Sequence, residues 1–92
     1  MPKKASKLLE HMRQSAANWT RHDLDALYLG YGFNIRAGGN HDIARHPTFP
    51  QLRATLPRHA KDLAKGYISQ AVKLIDQLEK LEGKNRGGKK DE

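Results

Sequence analysis

The sequence predicts an α+β two-layer sandwich, ordered helix, helix, three antiparallel strands, helix, with helices on one face of the sheet and the other face open. Three observations carry this. Apolar residues recur at helical spacing near both ends of the chain, at Leu8, Leu9, Met12 and Ala16 and again at Tyr67, Ile68, Ala71, Leu74, Ile75, Leu78 and Leu81. Between them the pattern changes to strict alternation, in Phe33-Asn34-Ile35-Arg36-Ala37 and in Leu52-Arg53-Ala54-Thr55-Leu56. The alternating stretches are separated by Gly38-Gly39-Asn40 and Pro47-Thr48-Phe49-Pro50, which are turn chemistry.

The elements follow in order. Residues 1–6 are expected to form a flexible N-terminus, and the first helix is expected from Lys7, ending before Asn18 and Trp19. Thr20 opens the second helix as its N-cap, with Asp23 three residues later as a short-armed capping-box partner. Leu24, Leu27 and Tyr28 form its buried stripe, and Gly30 is the expected left-handed residue at its end. In the first strand Phe33, Ile35 and Ala37 point inward and Asn34 and Arg36 outward. The second strand, from about His41 to His46, has two possible phases, because Ile43 and Ala44 are adjacent and both apolar. Placing Ala44 inward puts His41, Ile43 and Arg45 on the open face beside Arg36; placing Ile43 inward buries His41 with it. Electrostatics favours the first. The third strand ends at Pro57. The last helix is expected over residues 65–82, stopped by Gly83, and residues 83–92 form a polar, basic tail expected to be disordered. One domain therefore fills residues 7–82, with no internal repeat.

Charge and composition narrow the function. The 92 residues carry 17 Lys and Arg against 10 Asp and Glu, a formal charge of +7. A small basic chain commonly meets a polyanion, and nucleic acid is the commonest one. Lys3, Lys4, Lys84, Arg86, Lys89 and Lys90 sit near the termini, however, and the body without them is only slightly basic. There is no cysteine, which removes disulfides, thiolate nucleophiles and cysteine zinc sites. No apolar run approaches the ~18 residues of a membrane span, and the N-terminal charges precede no apolar signal region. A cytoplasmic protein is expected by elimination.

His41, directly after the glycine turn, is the strongest candidate for chemistry, since an unperturbed imidazole titrates near pH 6.5. Arg36, Arg45, Arg53 and Arg58 supply positive charge for phosphate. The competing reading of His41 is a hairpin residue exposed by chance. His59, after Pro57, is either an auxiliary proton carrier or a loop residue capping carbonyls. Lys61 and Lys65, with Gly66, stand at the start of the last helix, where free amides and the helix dipole suit a phosphate; a plain solvated helix start explains them equally well. His46, before Pro47, reads as structural, and His11 and His22 as helix-surface residues. Trp19 reads as an anchor between the first two helices. Phe49 and Tyr31 are the outward aromatic candidates for base stacking. His41, His46 and His59 lack the spacing of histidine metal motifs, so neither a metal nor another cofactor is expected.

The glycine pair followed by a polar residue and His41, then Arg45-His46-Pro47, Leu56-Pro57-Arg58-His59, and Leu63-Ala64-Lys65-Gly66-Tyr67 with a closing amphipathic helix, resembles the HicA-like toxins, from about Trp19 to Leu78. The resemblance implies a fold like that of double-stranded RNA-binding domains. It implies a metal-independent endoribonuclease that cleaves mRNA, with His41 as the catalytic histidine, neutralised by a HicB-type antitoxin protein. Asn40 stands where the family usually has serine, Asp42 where a second histidine is frequent, and Ala44 where a large aromatic is common. Two other readings stay open: a non-catalytic RNA-binding module of the same fold, and an interaction domain whose basic face docks an acidic protein.

Overall fold

The computed structural model describes residues 3–58 and 63–85 of the chain. The elements are α1 (Lys3–Gln14), α2 (Arg21–Gly30), β1 (Asn34–Gly38), β2 (His41–Arg45), β3 (Arg53–Leu56) and α3 (Lys65–Asn85). The three strands form one antiparallel sheet in the order β1-β2-β3. The chain is thus α+β, with three helices against an open three-stranded sheet, as the alternation and helical periodicity require.

The core explains where the element boundaries differ from expectation. α1 begins at Lys3 rather than Lys7, because Ala5 belongs to its buried stripe with Leu9 and Met12. These three lie four and three residues apart, the spacing of one helix face. α3 runs through Gly83 to Asn85, so Gly83 does not stop it; the expected tail beyond residue 85 lies outside the described residues. The left-handed residue after α2 is Gly32, at φ +89°, and not Gly30, which remains helical.

The start of α2 is as its sequence dictates. Thr20 accepts a hydrogen bond from the Asp23 amide, and the Asp23 side chain accepts one from the Thr20 amide, so both halves of a capping box are present. Such a cap contributes about 1 kcal/mol. Just before it, Trp19 packs partly buried against the core and donates from Nε1 to the Ser15 carbonyl at 2.8 Å. Its own carbonyl accepts from the Leu63 amide at 2.9 Å, which ties the approach to α3 back to the α1–α2 link.

Leu24, Leu27, Tyr28, Phe33, Ala44, Leu56, Ile68, Ala71, Ile75 and Leu78 make the centre of the core. Seven residues of the stripes expected in α2 and α3, Leu24, Leu27, Tyr28, Ile68, Ala71, Ile75 and Leu78, are fully enclosed. Among the described residues no helix is long and apolar enough to cross a membrane.

One polar atom in this core is unsatisfied. The Tyr28 hydroxyl is buried with no hydrogen-bond partner among the described residues, and burial pushes the phenol well above its ordinary pKa. An orphaned buried hydroxyl costs on the order of 1–3 kcal/mol. Tyr28→Phe is therefore expected to raise stability by roughly 1 kcal/mol, visible as a melting temperature ~4–8 °C higher in a chain of this size. A lower melting temperature for the variant would show that the hydroxyl is engaged.

Candidate functional site

The site is set by which way β2 faces. Ala44 is fully buried against the helical layer and sits between Ile35 of β1 and Ala54 of β3. Side chains alternate along a strand, so Asp42 shares the covered side, in a row with Ala37 and Leu56. His41, Ile43 and Arg45 take the open side.

The pairing then fills the open face. Arg36 lies across from Ile43, which lies across from Thr55; Asn34 lies across from Arg45, which lies across from Arg53. His41 pairs with Gly38 at the turn, where Gly39 takes a positive φ of +71°. His41, Arg36, Arg45 and Arg53 are all exposed. None of the three guanidiniums is in an ion pair among the described residues, and His41 has no hydrogen-bond partner there. Among the described residues the face thus holds three arginines, one imidazole and no acid.

The one acid of the sheet is neutralised on the other side. Asp42 accepts from Arg58 Nε at 2.9 Å and pairs with Arg21 Nη1 at 2.8 Å. Arg21 also donates to the Pro57 carbonyl at 3.0 Å and pairs with Asp25 at 2.6 Å. The network joins the start of α2, the start of β2 and the exit from β3. The bond from Arg58, then that from Arg21, holds the Asp42 carboxyl below its ordinary pKa. Burial opposes the charge on Arg21, but Asp25 and Asp42 outweigh it and hold that guanidinium above its usual value.

Of the residues expected to meet phosphate, the structure therefore gathers Arg36, Arg45 and Arg53 and does not gather Arg58, whose Nε is taken by Asp42. Lys65 is exposed at the first position of α3 and belongs to the helical layer, not the open face. His59 and Lys61 lie outside the described residues. His46 is structural: it is buried, its Nδ1 accepts from the amides of Thr48 and Phe49 at 3.1 and 3.3 Å, and its ring lies between Phe33 and Phe49. The two aromatics expected to face outward do not serve as platforms. Tyr31 is buried, and Phe49 turns onto His46 and the core.

A groove not foreseen from the sequence opens beside the arginines. It measures about 540 Å³ and is bounded by Asn34, Arg36, Ile43, Arg45, Pro47 and Pro50. Its signal in the sequence is faint: Asn34 is in phase with Arg36, and two prolines bracket one short turn. Among the described residues no three histidines or carboxylates come together as metal ligands. No family model, no curated protein and no solved structure matches this chain.

The Asp42 network makes a signed pH prediction. A carboxylate whose folded pKa is depressed contributes stability that is fully present above the unfolded value, about 3.9 for Asp, and is lost as pH falls through the folded value. Asp42→Asn should therefore lower the denaturation midpoint at pH 7 and narrow its gap from wild type below about pH 4. A gap that stays constant down to pH 2 would contradict the assignment.

Proposed function

We infer that the chain is an endoribonuclease of the HicA-like toxin type, acting on mRNA through the open sheet face. The observation that carries this reading is the exposed His41 on the same face as Arg36, Arg45 and Arg53, with no acid beside them among the described residues. An open antiparallel sheet backed by helices on one side also agrees with a fold like that of double-stranded RNA-binding domains.

RNA carries its own nucleophile. The 2′-hydroxyl loses its proton, its oxygen attacks the adjacent phosphorus, the bond to the 5′-oxygen breaks, and that oxygen takes up a proton. The products are a 2′,3′-cyclic phosphate and a free 5′-hydroxyl, with no net gain or loss of protons. His41 performs one of the two proton transfers and solvent the other; a positioned transfer is worth about 10²–10⁴ in rate. Guanidinium groups oppose the charge that builds on the non-bridging oxygens. A HicB-type antitoxin, acidic where it makes contact, would silence the protein by covering this face.

The test is cleavage of a defined RNA by purified protein in the presence of EDTA. Wild type should cut and leave cyclic phosphate ends, and His41→Ala should be slower by about 10²-fold or more. Equal cutting by the two proteins, no cutting by either, or loss of cutting with EDTA would each defeat the reading. The arginines give a separate expectation. Replacing Arg36, Arg45 and Arg53 together by Ala should flatten the slope of log affinity against log salt by about 2, at ~0.7 per phosphate contact on a single strand. An unchanged slope would place the phosphates elsewhere.

A further inference from the structure

We propose that the groove between the open-face arginines and the Pro47–Pro50 corner is a seat for one unpaired nucleobase, so that the RNA must be single-stranded where it is held. The proposal rests on the RNA reading above and adds to it the form of the substrate strand.

The groove lies within a nucleotide's reach of His41. His41, Ile43 and Arg45 are successive open-face residues of β2. Alternate residues on a strand are ~6.8 Å apart. The middle of the groove is therefore one such step from the imidazole and its far end two. A nucleotide with its ribose at His41 has its own base, or that of a neighbour, within reach of the groove.

The walls of the groove suit a base better than a phosphate. A site for phosphate alone needs cationic or amide donors and nothing apolar. This groove has Ile43, Pro47 and Pro50 as apolar walls and Arg36 and Arg45 as planar ones. Guanidinium planes stack on heterocycles. Asn34 adds a neutral amide that both donates and accepts, as the edge of a base requires and a phosphate does not. At about 540 Å³ the groove falls in the range of small-molecule sites, ~300–1,000 Å³. With Tyr31 and Phe49 committed to the core, it is also where a base would find planar surfaces on this face.

The groove is also rigid. The corner that carries Pro47 and Pro50 is held from within. His46 Nδ1 accepts from two of its amides, the His46 amide donates to the Leu52 carbonyl at 3.1 Å, and the Leu52 amide donates to the Phe49 carbonyl at 2.9 Å. A wall fixed before binding loses little freedom when the ligand arrives. Ile43 is constrained as well: a Cβ on Gly38 would lie 2.9 Å from its Cδ1, so the bare glycine is what makes room for that side chain.

The charge of the face identifies the occupant. Three guanidiniums with no ion pair and no acid beside them among the described residues suit a polyanion, and the apolar walls suit a flat ring attached to it. An A-form duplex does not offer such a ring, because its bases are stacked and its readable groove is shallow.

Binding separates the outcomes. The His41→Ala protein, whose substituted side chain is exposed, is titrated with three probes at fixed salt: a single-stranded RNA oligonucleotide, the same strand in a duplex, and a ribose–phosphate oligomer of equal length lacking bases. The single strand should bind about 10-fold tighter than either of the others, since one stacked base is worth roughly that much. The double variant Asn34→Ala/Pro50→Ala, checked for folding by circular dichroism, should lose this preference and keep its salt dependence. Equal, salt-dependent affinity for all three probes would overturn the base seat and leave the RNA reading standing. Tighter binding of the duplex would overturn it too. Absence of salt-dependent binding to any probe would defeat both, and tight capture of an acidic polypeptide in that case would assign the groove to a protein.

Discussion

The orientation of Ala44 governs the rest of the molecule. Its methyl group is sealed between the sheet and the helices, and a strand permits only two phases. A slip of one residue would send Ile43 inward and take His41 and Arg45 with it, while Asp42 would emerge among Arg36 and Arg53. The observed phase does the opposite. It sorts the charges of β2, sending the acid to one side and the cations to the other. The small side chain at position 44 matters for the same reason, since it is wholly buried with Ile35 and Ala54 flanking it in the same row.

Charge sorting would be costly if Asp42 were left alone on the covered side. Two arginines prevent this, and neither is incidental to the fold. Arg21 is the first residue of α2, immediately after the Thr20 cap, and Arg58 follows the Pro57 that ends β3. By holding both, one carboxylate links the helical layer to the hairpin and to the segment entering the last connection. The same contact withdraws a negative charge from the open face and withdraws Arg58 from it as well. The cationic surface is therefore defined by what the network removes as much as by what the strands present.

Much of this was legible in the residues. Alternation in 33–37 and 52–56 gave two strands, the glycine turn gave the hairpin, and Thr20 with Asp23 gave the start of α2. Adjacent Ile43 and Ala44 leave the phase of β2 open in the sequence, and electrostatic preference picks the side that burial of Ala44 in the core enforces. What escaped was tertiary. Arg58 looks like any other arginine until Asp42 is brought beside it from sixteen residues away. Ala5 looks like part of a polar terminus until Leu9 and Met12 fix the helix face it shares. Phe49 looks exposed between two prolines, but His46 turns back to cap its amide and draws the ring inward. The groove is also a product of assembly, since Asn34, Ile43 and Pro50 come from three separate segments.

On the proposed reading the open sheet face, and not the helical layer, is the working surface. Backbone amide spectra of the His41→Ala protein, recorded during addition of a short single-stranded RNA, test it most directly. Shifts should be concentrated at Asn34, Arg36, Ile43, Arg45, Arg53 and the Pro47–Pro50 corner, with α1 and the body of α3 unmoved. Shifts gathered on α1 or along α3, with the strands silent, would contradict it.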